Sequence, residues 1–259
     1  MDLKTVLYWK DDGIATVQIN RPEVLNAINE DVLIDLSLVL DDVASDPQVK
    51  VLVVQGDGNA FAAGADIKNF VSYGPQDAHN YIYQVQVTMN KIMALGKPTL
   101  ASIAGYALGG GCEMALACDI RIAADNAFFG LPEINLGIVP GGSGTQRLTR
   151  MVGEGKAKEL IFLGEVFNAQ QAFQLGLVNF LVSAEELKEQ TLKIAKKLSK
   201  KPPLAIRTAK ELIHLSYDVD IYTGLMMEKE KFAFLFSSDD QKEGMTAFLE
   251  GRKAVFKGK

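Results

Sequence analysis

The first feature that could support chemistry is a run of three glycines at residues 109–111, with Glu113 two positions later. Apolar residues typical of a buried helix follow, although glycine destabilises a helix interior. A helix N-terminus with free N–H groups can hold an anion, either a phosphate or a developing oxyanion. Residues 105–110 lack the GxGxxG spacing and no P-loop lysine follows, so nucleotide-phosphate binding is weakly supported. Tight packing of this helix against a strand is the alternative explanation.

A second loop of small residues, AFAAGADIK at residues 60–68, follows a predicted buried strand at residues 49–55. Ligands in open α/β sheets bind at the carboxyl ends of strands, which is where this loop would lie. Two loops that each expose a backbone N–H can form an oxyanion hole, and one such donor contributes roughly 3–4 kcal/mol in the transition state. The second loop therefore shifts the interpretation from tight packing towards a binding site.

Two glutamates, Glu113 and Glu133, lie among mostly uncharged neighbours, which predicts burial and raised carboxyl pKa values. Taken alone, Glu113 could be a helix-start carboxylate that the dipole favours, and Glu133 could be an exposed loop charge. Together, two buried carboxylates suit general acid–base chemistry. A glycosidase pair also uses two carboxylates, but it leaves the two glycine loops without a function.

The other residues that could support chemistry lack suitable partners in the sequence. His79 and His214 fall in predicted helices outside the glycine loops, which favours surface or packing roles. Cys112 adjoins the glycines, but no histidine is visibly arranged to activate it, so buried packing is the favoured interpretation. In GGSGTQR, Thr145 replaces the last glycine of the GxSxG elbow, so we interpret Ser143 as a helix N-cap instead.

The elements that must position these residues alternate between strands and helices over most of the chain. We predict strands at residues 14–20, 49–55, 99–104 and 119–124, and helices at residues 29–46, 77–95 and 110–117. This alternation predicts an α/β fold with right-handed crossovers. After about residue 183 the pattern is helical, with a junction at Pro202-Pro203 and a segment rich in Tyr, Met and Phe at residues 217–236.

The composition of the chain limits which classes of partner and which cellular compartment we expect. The chain has 259 residues, enough for one domain with a smaller helical appendage, and its net charge of −5 disfavours a nucleic-acid partner. Two cysteines without CxxC spacing argue against a disulfide framework or a zinc site and favour a reducing cytoplasm. The first 13 residues have no basic region before an apolar run, and no stretch is long enough to span a bilayer, so we expect neither a signal peptide nor a membrane anchor.

Four ordered blocks of sequence carry a resemblance to a known family. They are NRPEVLNAIN at residues 20–29, FAAGADIK at 61–68, GYALGGGCEMALACDIRIA at 105–123 and FGLPEINLGIVPGGSGTQRLTR at 129–150. In order and spacing they resemble the signature blocks of the enoyl-CoA hydratase/isomerase (crotonase) family, over essentially the whole chain. The resemblance implies a spiral of ββα units at residues 1–200, a C-terminal helical region at 201–259 that supports trimer formation, and a homotrimer or a hexamer built as a dimer of trimers.

The resemblance also implies roles for individual residues. The N–H groups of Ala65 and Gly110 would hold the thioester oxygen of an acyl-CoA substrate, with Glu113 and Glu133 as the catalytic acids and Gly141 in the wall near the bound water. The residues that would hold the coenzyme A part are Leu25, Ala27, Ala63, Asp66, Ile67 and Lys68. Lys257 and Lys259 would reach its phosphates, although a solvated tail is an equal alternative.

We therefore expect an enzyme that adds water to a 2-enoyl-CoA, with Glu113 mainly as base and Glu133 mainly as acid. No metal and no separate cofactor are expected, because coenzyme A is part of the substrate. The alternatives are a 3,2-enoyl-CoA isomerase or another enzyme of the family and, from a different class, a non-catalytic acyl-CoA-binding or RNA-binding protein. A Clp-type serine protease lacks a credible Ser/His pair.

Overall fold

The computed structural model describes residues 1–259, except for the side chain of Asn69. Its main layer is a six-stranded sheet in the order β1-β2-β3-β5-β7-β10, in which only the β1–β2 pair is antiparallel. The strands are β1 Val6–Asp11, β2 Ile14–Ile19, β3 Val51–Gly56, β5 Thr99–Ile103, β7 Ile120–Ala124 and β10 Phe180–Val182. The four predicted strands are β2, β3, β5 and β7, and they form the centre of this sheet.

A second sheet is built from four short strands that the sequence pattern did not predict. These are β4 Ala60–Ala62, β6 Tyr106–Leu108, β8 Phe128–Gly130 and β9 Phe167–Asn168, paired in the order β4-β6-β8-β9. Segments of two or three residues are too short for an alternating pattern to be visible. Three times along the chain, after β3, β5 and β7, a strand of the large sheet leads to a strand of the small sheet and then to a helix, which confirms the expected spiral of ββα units.

Helices complete the repeats and cover the sheets. They are α1 Glu30–Ser45, α2 Pro75–Ala94, α3 Gly110–Ala117, α4 Gly144–Val152, α5 Glu154–Leu163 and α6 Ala169–Gln174. Asn29 caps α1 by accepting a hydrogen bond from Val32 N at 3.0 Å, so the predicted start of this helix was one residue early. Three 3₁₀ helices, Pro22–Val24, Ile67–Ser72 and Pro132–Leu136, lie in the loops that carry the candidate site residues.

The last part of the chain is helical, as predicted: α7 Leu187–Ser199, α8 Pro203–Leu215, α9 Ile221–Leu235 and α10 Asp239–Leu249. The Pro202-Pro203 pair lies at the start of α8. Lys210 of α8 is held against the sheet by Asp119, with 2.9 Å between Nζ and Oδ2. Within the described residues, no helix has both the length and the apolar character needed to cross a bilayer.

Close packing of the small sheet against α3 explains one of the three glycines. A Cβ on Gly111 would lie 2.0 Å from the carbonyl oxygen of Ala62 in β4, far inside any real contact. Gly111 therefore allows the N-terminus of α3 to pack directly on the small sheet. The tight-packing explanation accounts for this position, while Gly109 and Gly110 lie next to the candidate site.

Candidate active site

The N-terminus of α3 and the loop after β4 bring two backbone N–H groups together. Gly110 is the first residue of α3, so its N–H has no acceptor within the helix. Ala65 forms a parallel bridge with Ile28, but Gly64 O and Asp66 N make the two hydrogen bonds of that bridge. Ala65 N consequently points to the opposite side, and a Cβ on Gly110 would lie 4.0 Å from it. Among the described residues neither N–H group has a hydrogen-bond acceptor.

Glu113 lies in the first turn of α3 and its side chain is buried, with 2% of its surface exposed. Its Oε1 accepts a hydrogen bond of 2.6 Å from the backbone N–H of Gly144, at the start of α4. Burial raises the pKa of Glu113 from 4.5 to about 7, the N–H groups of Gly144 and Gly142 partly offset this rise, and the charge of Glu133 adds to it. The structure confirms the burial of Glu113 that its apolar neighbours predicted, and this burial is the main cause of the raised pKa.

Glu133 is half-buried in the 3₁₀ helix that follows β8, so it is not the freely exposed loop charge that was considered as an alternative. Its Oε1 lies beside the glycine run, because a Cβ on Gly109 would be 2.9 Å from it. Its Oε2 is buried and has no hydrogen-bond partner among the described protein atoms. Burial raises the pKa of this carboxyl group. A carboxyl group in this setting favours its protonated form, which can donate a proton.

Gly141 lies in the loop between this 3₁₀ helix and α4, against the side chain of Ile82 in α2. A Cβ at position 141 would be 2.6 Å from Ile82 Cδ1, so the two residues share one wall. The carbonyl oxygen of Gly141 accepts a hydrogen bond of 2.8 Å from Gln86 Nε2, also on α2. Helix α2 is thus attached to the loop that carries Gly141.

The predicted coenzyme A residues fall into two groups, of which the first surrounds an arginine that the sequence analysis missed. Arg21 Nη1 donates to the carbonyl oxygen of Ala27 at 2.5 Å, and its Nη2 pairs with Asp66 Oδ2 at 3.1 Å. The backbone N–H of Ala63 donates to Leu25 O at 3.0 Å, which joins the two segments. The only signal for Arg21 was its place in the block at residues 20–29, which carries part of the family resemblance.

The second group consists of Ile67 and Lys68, which begin the 3₁₀ helix after Ala65 and have exposed side chains. Lys68 forms no ion pair with any described carboxylate. Its ammonium group is therefore available to a ligand that approaches the same loop. Lys257, which the resemblance also places near the phosphates, is more than one hundred residues away from Lys68 in the sequence. Its backbone N–H donates a hydrogen bond of 2.6 Å to Asp240 Oδ1.

Two of the remaining predictions can be compared with the structure. Ser143 is the N-cap residue of α4, as predicted, although its side chain caps no backbone N–H. Its Oγ instead accepts a hydrogen bond of 2.6 Å from Arg147 Nε, and its φ is +106°. Cys112 is buried and burial raises the pKa of its thiol, which agrees with a packing role.

Comparison with known proteins identifies the family. The family model described as "Enoyl-CoA hydratase/isomerase" matches residues 10–259. A crotonyl-CoA hydratase from Syntrophomonas wolfei is 43% identical over 257 residues, covering 99% of both chains. The chain belongs to the enoyl-CoA hydratase/isomerase family. A short-chain-enoyl-CoA hydratase from Clostridium acetobutylicum, 42% identical, covers 98% of this chain and 97% of its own length.

Solved structures of the enoyl-CoA hydratase/isomerase family agree with the fold as well as with the sequence. An enoyl-CoA hydratase from Bacillus anthracis superposes with a TM-score of 0.95 at 37% identity, covering 99% of this chain and 100% of that chain. One from Geobacillus kaustophilus gives the same TM-score at 39% identity and covers both chains completely. The expected crotonase-like fold is therefore confirmed.

Proposed function

We propose that this protein is an enoyl-CoA hydratase that adds water to the double bond of a 2-enoyl-CoA to give a 3-hydroxyacyl-CoA. The observation that carries the proposal is the convergence of two carboxyl groups with raised pKa values on two backbone N–H groups without acceptors. The names of the S. wolfei and C. acetobutylicum relatives support the same reaction.

In this proposal the N–H groups of Ala65 and Gly110 bind the thioester carbonyl oxygen. Attack of water at C3 moves negative charge onto that oxygen, and donors aimed at the developing charge stabilise the transition state more than the ground state. The positive end of the α3 dipole adds to the donor at Gly110. Because both donors belong to the backbone, they need little reorganisation during the reaction.

Glu113 and Glu133 would share the proton transfers. The carboxylate of Glu113 accepts hydrogen bonds from backbone N–H groups in and just before the first turn of α4, and these bonds favour its ionised form. We therefore propose that Glu113 removes the proton from the attacking water. Glu133 Oε2 lacks any described donor, which favours its protonated form, so we assign it protonation of C2. Each residue returns to its starting state when a proton passes from one carboxyl group to the other through solvent or product.

The coenzyme A part would lie along the loop after Ala65, with Leu25, Ala27, Ala63, Asp66 and Ile67 as its contacts and the exposed Lys68 near its phosphates. We propose no metal and no separate cofactor for this chemistry, since both proton transfers and the oxyanion are served by protein groups. The acidic net charge of −5 supports a protein without a nucleic-acid partner, and two free buried cysteines are compatible with the cytoplasm.

A homotrimer or homohexamer is the proposed assembly, with residues 201–259 as the region that joins the subunits. Helix α9 has no buried residue, although it is rich in large apolar side chains. Helices α8–α10 also border an apolar groove of about 560 Å³. A soluble protein rarely leaves so much contiguous apolar surface exposed, and a symmetric oligomer covers it.

The decisive experiment measures turnover of crotonyl-CoA, of longer 2-enoyl-CoA thioesters and of a 3-enoyl-CoA by the parent and by Glu133→Gln. We expect hydration of the 2-enoyl thioesters and a loss of kcat of at least about 10² in the variant, the low end for a general acid or base. Parental hydratase activity in a folded Glu133→Gln variant would remove Glu133 from the mechanism. Faster conversion of the 3-enoyl thioester by the parent would favour an isomerase.

A matched pair of substitutions tests the oxyanion donor. Gly110→Pro removes the N–H at a helix position that accepts proline, and should abolish turnover. Gly110→Ala keeps the N–H, and its Cβ would meet Ile28 Cδ1 at an ordinary 3.5 Å, so it should retain activity. Circular dichroism must show that both variants fold. Similar activity in the two variants would mean that Gly110 N–H does not stabilise the oxyanion.

A further inference from the structure

Ser143 adopts a backbone conformation that an L-residue with a side chain rarely takes. Its φ of +106° and ψ of 5° lie beyond the usual left-handed region, and it is flanked by Gly142 and Gly144. Residues held in such conformations persist only where the surrounding structure enforces them, and they cluster at functional sites. A specific contact that holds Ser143 in this state would therefore be informative about the site.

Arg147 provides that contact from the first turn of α4. Its Nε donates to Ser143 Oγ at 2.6 Å, while Nη2 donates to Asn90 Oδ1 at 3.0 Å and Nη1 to Met93 Sδ at 2.8 Å. Asn90 and Met93 are one turn apart on α2, so the planar guanidinium group is fixed on that helix. The strained serine is thereby tied to a rigid support.

The two neighbours of Ser143, Gly142 and Gly144, lie against the carboxylate of Glu113. Gly144 N donates to Glu113 Oε1 at 2.6 Å, and a Cβ on Gly142 would lie 2.5 Å from Glu113 Oε2, so residues 144 and 142 each lie against one of the two carboxylate oxygens. A residue with ordinary negative φ at position 143 would turn one of these two backbone segments away. The conformation of Ser143 and the environment of Glu113 are consequently linked.

The charge of Arg147 acts in the same direction. It makes no ion pair with a described carboxylate, and it helps to lower the pKa that burial of Glu113 raises. Glu113 also interacts with Glu133, from the 3₁₀ helix after β8, with Tyr81, from α2, and with its neighbour Cys112; the pKa values of Tyr81 and Cys112 are raised chiefly by burial and also by Glu113. Arg147 is the positive group among those that act on this carboxyl.

We propose that Arg147 and Ser143 are positioning residues for Glu113: Arg147 holds Ser143 in its strained conformation, and this aims the Gly142–Gly144 backbone at the Glu113 carboxylate. Neither residue touches the substrate in this scheme. The inference deepens the proposed hydration, on which its kinetic consequences rest.

The test combines two substitutions at position 143 with one at position 147. Arg147→Met, which keeps the length of the side chain, should lower kcat for crotonyl-CoA by about 10- to 100-fold, the scale of a misplaced catalytic group, with KM changed by less than about two-fold. The acid limb of the pH–kcat profile should move to higher pH, because Glu113 loses groups that favour its ionised form. Arg150→Met, one turn along α4 on its exposed face, is the matched control and should leave both quantities unchanged.

Glycine at position 143 distinguishes positioning from a general loss of packing. Glycine adopts a φ of +106° without help, so Ser143→Gly should recover a substantial part of the kcat lost in Arg147→Met, and Ser143→Gly alone should be faster than Ser143→Ala. No recovery in the double variant, or equal rates for the two single variants, would overturn the claim that Arg147 acts through Ser143. The Ser143 pair also keeps the test decisive if Arg147→Met does not fold.

An infrared titration of the Glu113 carboxyl band, assigned by its loss in Glu113→Gln, separates failure of this proposal from failure of the proposed reaction. If the parent does not hydrate 2-enoyl-CoA, the reaction is wrong, but the Glu113 pKa should still rise in Arg147→Met. An unchanged titration in that variant would refute the positioning role whatever the activity.

Discussion

Glu113→Gln should remove activity and at the same time stabilise the folded protein at neutral and alkaline pH. The pKa of Glu113 is raised from 4.5 to about 7 by burial, so the folded state holds this proton more tightly than the unfolded chain does. Between these two values the folded state binds more protons, and stability falls as the pH rises. The difference of about 2.5 units, at about 1.36 kcal/mol per unit, corresponds to at most about 3 kcal/mol for each protomer above pH 7.

Glutamine avoids this penalty because it cannot ionise, and its Oε1 can still accept the hydrogen bond from Gly144 N. We expect a gain in the free energy of unfolding of about 1–3 kcal/mol near pH 8.5 and a much smaller difference near pH 4.5. The comparison uses urea unfolding of parent and variant at several pH values and one protomer concentration, because oligomer stability depends on concentration. The kcat of the same variant should fall by at least about 10².

The informative quantity is the pH dependence of the difference between variant and parent. The same substitution at the exposed Glu185 provides the matched control. If the Glu113→Gln difference were constant between pH 4.5 and 8.5, Glu113 would not titrate near 7 in the folded protein. The reasoning from burial to catalysis would then fail at its first step.

Three further predictions concern packing, substrate binding and assembly. Gly111→Ala should strongly destabilise the protein in a thermal melt, because its Cβ would lie 2.0 Å from Ala62 O, and a parental melting temperature would contradict the close packing of α3 on β4. Lys68→Ala should raise KM for enoyl-CoA several-fold at nearly constant kcat. This rise in KM should shrink in high salt and be absent with a pantetheine thioester, which lacks the nucleotide phosphates. An unchanged KM at low salt would show that Lys68 makes no useful phosphate contact. Light scattering should detect a trimer or hexamer, whereas a stable monomer of 28.2 kDa would refute the proposed role of α8–α10.

Local sequence was sufficient to predict the central strands, the first three helices and the helical C-terminal region. Each is long enough to show either a hydrophobic period or a continuous apolar run, and local stop signals such as Asp46-Pro47 and Pro202-Pro203 mark some of the boundaries. The two glutamates and the two glycine loops could also be singled out, because charges among apolar neighbours and runs of small residues are visible without a structure. The ordered motif blocks then pointed to the family.

Only the tertiary structure decided how these residues act on one another. Glu113 and Gly144 are 31 positions apart, and their hydrogen bond depends on how α4 packs against α3. The strain at Ser143, its contact with Arg147 and the pairing of Arg21 with Asp66 left no periodic or compositional trace in the sequence. The short strands of the second sheet were equally invisible, since pairing partners distant in the chain define them. The pattern of apolar and polar residues in a sequence indicates which residues prefer burial. The orientation of a side chain and the pKa of its ionisable group depend on non-local contacts, which form only when the helices and strands pack together.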